Sequence, residues 1–389
     1  MTAVREYLGR NLRQYGIMGA LVLIVLLFEW LTGGRLLMPN NVAALVQQNA
    51  YVMILAIGMV MVIVAGHIDL SVGSVVAFVG AIVGIAMGKW DLPWLLAVLL
   101  GVVAGALVGV WQGYWVAYVG IPAFIVTLAG MLIFRGLAIV LVGTTIAGLP
   151  SGFVAISNGY LPNFLGYTAN RDALTLAIGV VAVAGLVLAQ MRSRATLKKH
   201  ELEVEPMVAF VGKIVLMAVL FGVITWILAG STGMPIVLII VGVLILAYTF
   251  VLGRTVFGRH IYAIGGNLNA AILSGVNTHR VNFGIFVNIG ALAGVAAIVT
   301  TSRAGAAVAA AGDSFELDAI AACFIGGTAV TGGVGKVSGA MIGALIMGVL
   351  NMGLSIMNVD PSWQKAIKGL VLLAAVAFDL INKRRASGR

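Results

Sequence analysis

Apolar runs of about 20 residues recur along the whole of this chain, the length a helix needs to cross the hydrocarbon of a bilayer. Of its 389 residues, 61% are apolar and only 9% are charged, more apolar surface than a soluble domain can hide. The fold class that follows is all-α, a polytopic transmembrane helical bundle forming one domain over residues 1–389. A net charge of +10 would suit a nucleic-acid binder, but the basic residues gather in a few loops and at the two ends. That distribution is the positive-inside signature, and no nucleic-acid partner is expected. Cys323 is the single cysteine, and His67, His200, His260 and His279 are scattered without ligand spacing, so neither a disulfide framework nor a metal site is expected. No constellation of His, Cys, Ser or carboxylates stands at catalytic spacing either, and an enzyme is not expected.

The chain in order sets the topology. Arg5, Arg10 and Arg13 precede an apolar run from Ile17 to Trp30 with no small-residue cleavage site after it, which predicts a cytosolic N-terminus over residues 1–15 and a retained first helix. A second span over about 43–65 ends in GHIDLSVGS, Gly66 to Ser74, where glycines permit a sharp backbone break beside Asp69 and Ser71. An ionisable group at a break marks either a translocation path or a carboxylate capping the next helix. The fourth span, about 92–119, carries Gly101, Gly105, Gly109 and Gly113 on one face, a surface for close helix packing. In the fifth, Arg135 must face protein or water, paired with a carboxylate or with carbonyls, while Phe124 and Thr127 line either the path or the core. Residues 143–172 are polar and long for a connector, and alternation makes them an external loop.

The second half repeats the logic. Arg192, Arg194, Lys198 and Lys199 place residues 191–206 in the cytosol, and spans over about 207–229 and 234–252 return the chain to the same side. Residues 251–280 carry Arg254, Arg259, Arg280, His260 and His279 with no acid, and form a second cytosolic segment. Within it Gly265-Gly266 reads as a flexible turn, Asn267 as a helix cap, Leu268 to Ser274 as a two-turn helix and Gly275 as its C-terminal glycine. Leu268, Ala271, Ile272 and Gly275 share one face of that helix, which either caps the bundle or docks a partner. A span over about 281–301 leads to an external loop with Arg303, Asp313 and Glu316. The glycine-broken segment Glu316 to Ala340 contains GGVGK, which is no phosphate loop, because Val330 stands where the first glycine belongs and Val337 follows Lys336. Spans over about 337–357 and 362–381 end in Lys383, Arg384 and Arg385, a cytosolic C-terminus over 382–389. Asp69 and Asp318 thus both open glycine-rich helices in opposite halves, and the count is ten to twelve helices.

GRHIYAIGGNLNAAILSGVN in the basic segment, GHIDLSVGS, PAFIVTLAGMLIFRG and ELDAIAACFIGGTAVTGGVGKVSGA together resemble permease subunits of bacterial ABC importers for monosaccharides, the ribose, xylose and multiple-sugar group. Branched-chain amino acid permeases are more distantly similar. The resemblance covers about residues 15–385 and departs at His67, where glycine is usual. It implies that Arg259 to Gly275 seats in a groove of an ATPase subunit, with Arg254, Gly258, Arg259, Tyr262, Gly265, Gly266, Asn267, Ala271, Ser274 and Gly275 as coupling residues. It also implies a homodimer in the bacterial inner membrane, a periplasmic sugar-binding protein as partner, and no cofactor of its own, ATP being bound by the partner subunits. Asp69, Ser71, Phe124, Thr127, Arg135 and Asp318 would then mark the sugar's path. The helix pair after residue 172 looks like an insertion relative to shorter ribose-type permeases and tilts the substrate toward xylose or a range of monosaccharides. An ion-coupled secondary transporter is the competing class; its candidate carboxylates, Glu29, Asp69, Asp318 and Asp379, mostly fall near span ends.

Overall fold

The structure, a computed structural model, describes residues 12–202 and 204–387. Arg5 and Arg10 of the N-terminal segment lie outside the described residues. The described residues form fifteen α-helices, one π-helical turn over Trp115–Val119 and four strands of two residues each. In chain order the helices are α1 Leu12–Leu31, α2 Pro39–Val64, α3 Val72–Gly88, α4 Trp94–Tyr114, α5 Ala123–Val142, α6 Ser151–Asn158, α7 Ala173–Lys199 and α8 Met207–Leu228. The second half contains α9 Ile236–Arg254, α10 Val256–Gly266, α11 Leu268–Leu273, α12 Thr278–Ala304, α13 Phe315–Ile325, α14 Val337–Ile356 and α15 Pro361–Ser387. Eight of them are long and apolar enough to cross a membrane among the described residues; Gly16–Leu31 and Val72–Gly88 are shorter apolar helices.

Proline starts most of these elements. Pro93, Pro122, Pro150, Pro206 and Pro235 are the N-cap residues of α4, α5, α6, α8 and α9. Pro39 and Pro361 open α2 and α15. The ring fixes φ and supplies no N–H where the helix has no partner for one. Bundle order follows from burial. Almost the whole of α2 is enclosed, every residue from Val52 to Val64 being buried, and α9, α12, α13 and α14 surround it. α7 and α8 pair with each other at the edge and bury few residues, Leu174, Thr175 and Gly179 on one and Phe210 and Leu228 on the other.

The glycine stripe of α4 does what its spacing predicts. It lies against α12, where a Cβ on Gly105 would fall on the carbonyl oxygen of Gly290, and one on Gly290 would fall on that of Gly105. Gly109 meets the Phe286 carbonyl in the same way. α13, with 11 residues, is about 16 Å long and reaches only part-way across a bilayer. It turns back into α14 through glycines, since a Cβ on Gly326 would overlap the Gly339 carbonyl and one on Gly343 that of Ala322. Asp318 anchors this hairpin: it is buried, accepts a 2.7 Å hydrogen bond from the Tyr51 hydroxyl on α2, and lies 3.1 Å from Lys368 Nζ on α15.

Three expectations need correction. Residues 143–172 are no open loop, because α6 packs on α12: the Ser157 N–H donates to Ser302 Oγ at 2.9 Å, and Asn158 Nδ2 donates to the Ser302 and Arg303 carbonyls. The segment 191–206 begins as helix, α7 continuing to Lys199, because nothing in its sequence breaks the helix before His200. Gly265-Gly266 is the last turn of α10, not a flexible turn.

Two outcomes follow. Gly105→Ala is expected to destabilise the detergent-solubilised protein by about 2 kcal/mol through backbone overlap, while Gly136→Ala, whose Cβ meets nothing within 4 Å, leaves it unchanged; thermal unfolding by size-exclusion recovery measures both. Lys368→Met is expected to cost about 3 kcal/mol by leaving the Asp318 carboxylate buried with only Tyr51, and Asp318→Asn in the same chain recovers most of it in the same assay.

Candidate functional site

The basic segment begins where α9 stops. Thr255 caps α10, its hydroxyl oxygen accepting the Gly258 N–H at 3.1 Å while donating to the Val251 carbonyl at 2.6 Å. Gly258 has no room for a side chain against the Leu252 carbonyl, so the α9–α10 corner depends on glycine. Asn267 then caps α11 through a 3.0 Å bond from the Ala270 N–H, and Asn277 caps α12 through a 3.0 Å bond from the Arg280 N–H. Gly275 ends α11 at φ +81°, with its N–H on the Ile272 carbonyl and the Val276 N–H on the Ala271 carbonyl. The predicted cap, two-turn helix and C-terminal glycine are therefore all present. α10, a longer helix before it, is not among the sequence expectations.

The segment has two faces. Gly258, Ile261, Ile264 and Ala271 are buried, whereas Arg254, Arg259, Gly266, Asn267, Ser274 and Gly275 are exposed. Leu268 and Ile272 are about half exposed and Leu273 is 89% exposed, so the apolar side of α11 is largely uncovered in the single chain. Arg259 bends back to the Arg254 carbonyl at 3.3 Å.

The buried face rests on both helix breaks. Gly265 lies so close to the end of α2 that a Cβ there would overlap the Val64 carbonyl oxygen, and it would stand 2.6 Å from the Gly333 nitrogen. The Gly333 N–H itself donates to the Val64 carbonyl at 2.8 Å, and the Tyr262 hydroxyl donates to the Gly335 carbonyl at 2.6 Å. Tyr262 and Gly265 thus point into the bundle, while Arg254, Arg259, Asn267 and Ser274 point out of it.

The break after α2 holds a buried polar cluster. One carboxylate oxygen of Asp69 accepts the Ser71 N–H at 2.8 Å and the Ser71 hydroxyl at 2.6 Å. Gln112 Nε2 on α4 donates to the Ser71 oxygen at 2.6 Å. Asp69 therefore holds the residue ahead of α3 instead of capping the first N–H groups of α3. Thr127 is fully buried beside this cluster, 3.4 Å from the Ile68 carbonyl, but Phe124 is 55% exposed, so the two do not converge on one space. Arg135 takes the carbonyl option, donating to Ala309 and Ala311 at 3.0 and 2.8 Å and tying α5 to the turn before α13. Asp318 is held by Tyr51 and Lys368, away from Asp69 and its partners. Gln112 is not among the sequence expectations; its one signal is a lone amide in the glycine face of α4, between Gly109 and Gly113.

Residues 41–376 match the family model described as branched-chain amino acid transport system / permease component. The chain is 42% identical to the xylose transport system permease protein XylH of Escherichia coli K12, over 96% of this chain and 93% of that protein. It is 39% identical to the XylH protein of Haemophilus influenzae, over 96% of this chain and 98% of the relative. The ribose import permease protein RbsC of Escherichia coli K12 is 32% identical over 89% of this chain and 87% of its own length. No solved structure matches. With a model match over most of its length and relatives aligned nearly end to end, the chain belongs to the branched-chain amino acid transport system permease family.

Proposed function

We propose that this chain is the membrane-spanning subunit of an ABC importer that passes a pentose, xylose foremost, across the bacterial inner membrane. The observation that carries the reading is the outer face of α10 and α11, a helix capped at both ends whose apolar residues Leu268, Ile272 and Leu273 are uncovered beside Arg254 and Arg259. A short helix is marginal alone, and this one is held rigid by its caps and by Ala271 while its largest side chains face outward. An ATPase subunit covers that face, hydrolyses the ATP, and drives the helices through it; the chain itself conducts the sugar and catalyses no reaction. Two copies of the chain form the conduit, a periplasmic sugar-binding protein delivers the substrate, and both termini with segments 191–206 and 251–280 lie in the cytosol, supported by the placement of Lys and Arg.

The sugar assignment rests on the nearly full-length similarity to xylose permeases. Branched-chain amino acids are the second reading, favoured by the family description alone. Arg35, in the turn between α1 and α2, is exposed and available to an acidic partner. Arg171 stacks on Trp226 at 4.3 Å, and Arg303 donates to the Asn158 side chain, so both brace the bundle.

A pull-down of solubilised protein with its ATPase subunit tests the reading. Leu273→Glu and Arg259→Glu are expected to weaken association by about tenfold or more without lowering the melting temperature, because both side chains are solvent-exposed. Transport of xylose by the chain with no ATPase bound would contradict it, as would uptake that valine, and not xylose, competes for. Leu273→Cys is expected to react with a membrane-impermeant maleimide in inverted vesicles only, against a background in which the buried Cys323 stays unlabelled. Labelling in right-side-out spheroplasts would reverse the orientation.

A further inference from the structure

We propose that Tyr262 and Gly265 are not ATPase contacts but the residues that grip a gate, and that the gate is the joined pair of helix breaks at residues 64–71 and 326–336. The inference rests on the importer reading and adds to it the path by which a docked motor acts. A helix that stops inside a bundle leaves its last carbonyls without intrahelical partners. For α2 the Val64 carbonyl finds its partner across the structure, in the Gly333 N–H at 2.8 Å. Gly333 sits at φ +73° and Gly332 at φ +81°, backbone positions open to glycine and strained for other residues. The two halves of the chain are thus locked together at this point by a main-chain hydrogen bond, with the Val64 side chain packed on Gly335.

α10 is placed on that lock. Gly265 has no space for even a methyl group between itself, Val64 and Gly333, and Tyr262 holds the next carbonyl of the second break, that of Gly335. Displacing α10 by the width of a methyl group therefore moves Val64, Gly333 and Gly335 together, with no side chain between to absorb the motion. Beside the lock, the buried Thr328 Oγ1 atom has no hydrogen-bond partner among the described residues, and Thr328 borders Gly335. A polar group left unpaired in the closed arrangement lowers the cost of an opened one in which water or a sugar hydroxyl reaches it.

Two glycines provide the test. A Cβ at Gly265 overlaps the Val64 carbonyl, whereas a Cβ at Gly242 on α9 meets nothing within 4 Å, so Gly265→Ala and Gly242→Ala are one chemical change at two positions that differ in this contact. In proteoliposomes holding the full importer, with the ATPase subunit and binding protein supplied, three quantities are read: ATPase association, stimulation of ATP hydrolysis by sugar-loaded binding protein, and sugar uptake. Gly265→Ala is expected to keep association within about twofold, to lose uptake by about tenfold or more, and to hydrolyse ATP without regard to loaded binding protein. Gly242→Ala is expected to match the wild type in all three. Wild-type uptake by Gly265→Ala, or an equal loss in both variants, overturns the proposal; so does loss of ATPase association by Gly265→Ala, which would make it a docking residue. If Gly265→Ala does not fold, Tyr262→Phe decides between the outcomes, with uptake reduced at unchanged association supporting the gate and unchanged uptake overturning it. Failure of the importer reading is separate, since it appears as ATPase association untouched by Leu273→Glu.

Discussion

The hydrogen bond from the Gly333 N–H to the Val64 carbonyl closes a requirement that every other feature of this bundle respects. Lipid offers no partner to a backbone polar group, so a chain in a membrane can leave helical geometry only where protein supplies one. This chain leaves it twice inside the bundle, after α2 and between α13 and α14, and the Gly333–Val64 hydrogen bond joins the two breaks. The consequence is mechanical. Two breaks from opposite halves of the sequence share a main-chain contact, and the helix placed against that contact, α10, is the one beside the uncovered apolar face of α11.

Close approach makes the contact possible, and glycine makes the approach possible. The stripe on α4 brings it against Gly290 and Gly294 of α12, and α12 in turn borders α2 and α3. Gly326, Gly339 and Gly343 fold α13 onto α14. Polar side chains then fix the joints: Arg135 on the carbonyls of Ala309 and Ala311, Tyr51 and Lys368 on Asp318, and Gln112 with Ser71 around Asp69. These groups act as struts, and the proposed gate lies apart from them, at the glycine contact. α7 and α8 bury little and stand outside this arrangement.

Features legible in the sequence are those decided by local chemistry. Apolar runs set the spans, seven of the eight prolines stand at helix starts, and Asn267 and Gly275 mark the ends of α11. The stripe at four-residue spacing and the demand that Arg135 find carbonyls or a carboxylate are readable for the same reason. What stays hidden is decided by partners distant in the chain. Gly265-Gly266 looks like a turn because glycine weakens a helix, yet here the missing side chain admits Val64 and Gly333, and helix geometry survives. The order of residues 151–158 comes from Ser302, and the separation of Phe124 from Thr127 comes from which side of α5 meets Ile68. Neither has a sign in the local pattern. Gln112 is masked because its glycine neighbours make that face of α4 a packing surface, and it is one, with a single amide reaching Ser71.

Hydrogen exchange followed by mass spectrometry on the assembled importer tests the joining of the two breaks most directly. Peptides covering residues 64–71, 256–266 and 326–336 are compared in the resting complex and in the complex trapped with ATP bound. All three are expected to change protection together, because one main-chain contact joins them. Exposure of one break while the other stays protected through the transport cycle would contradict it.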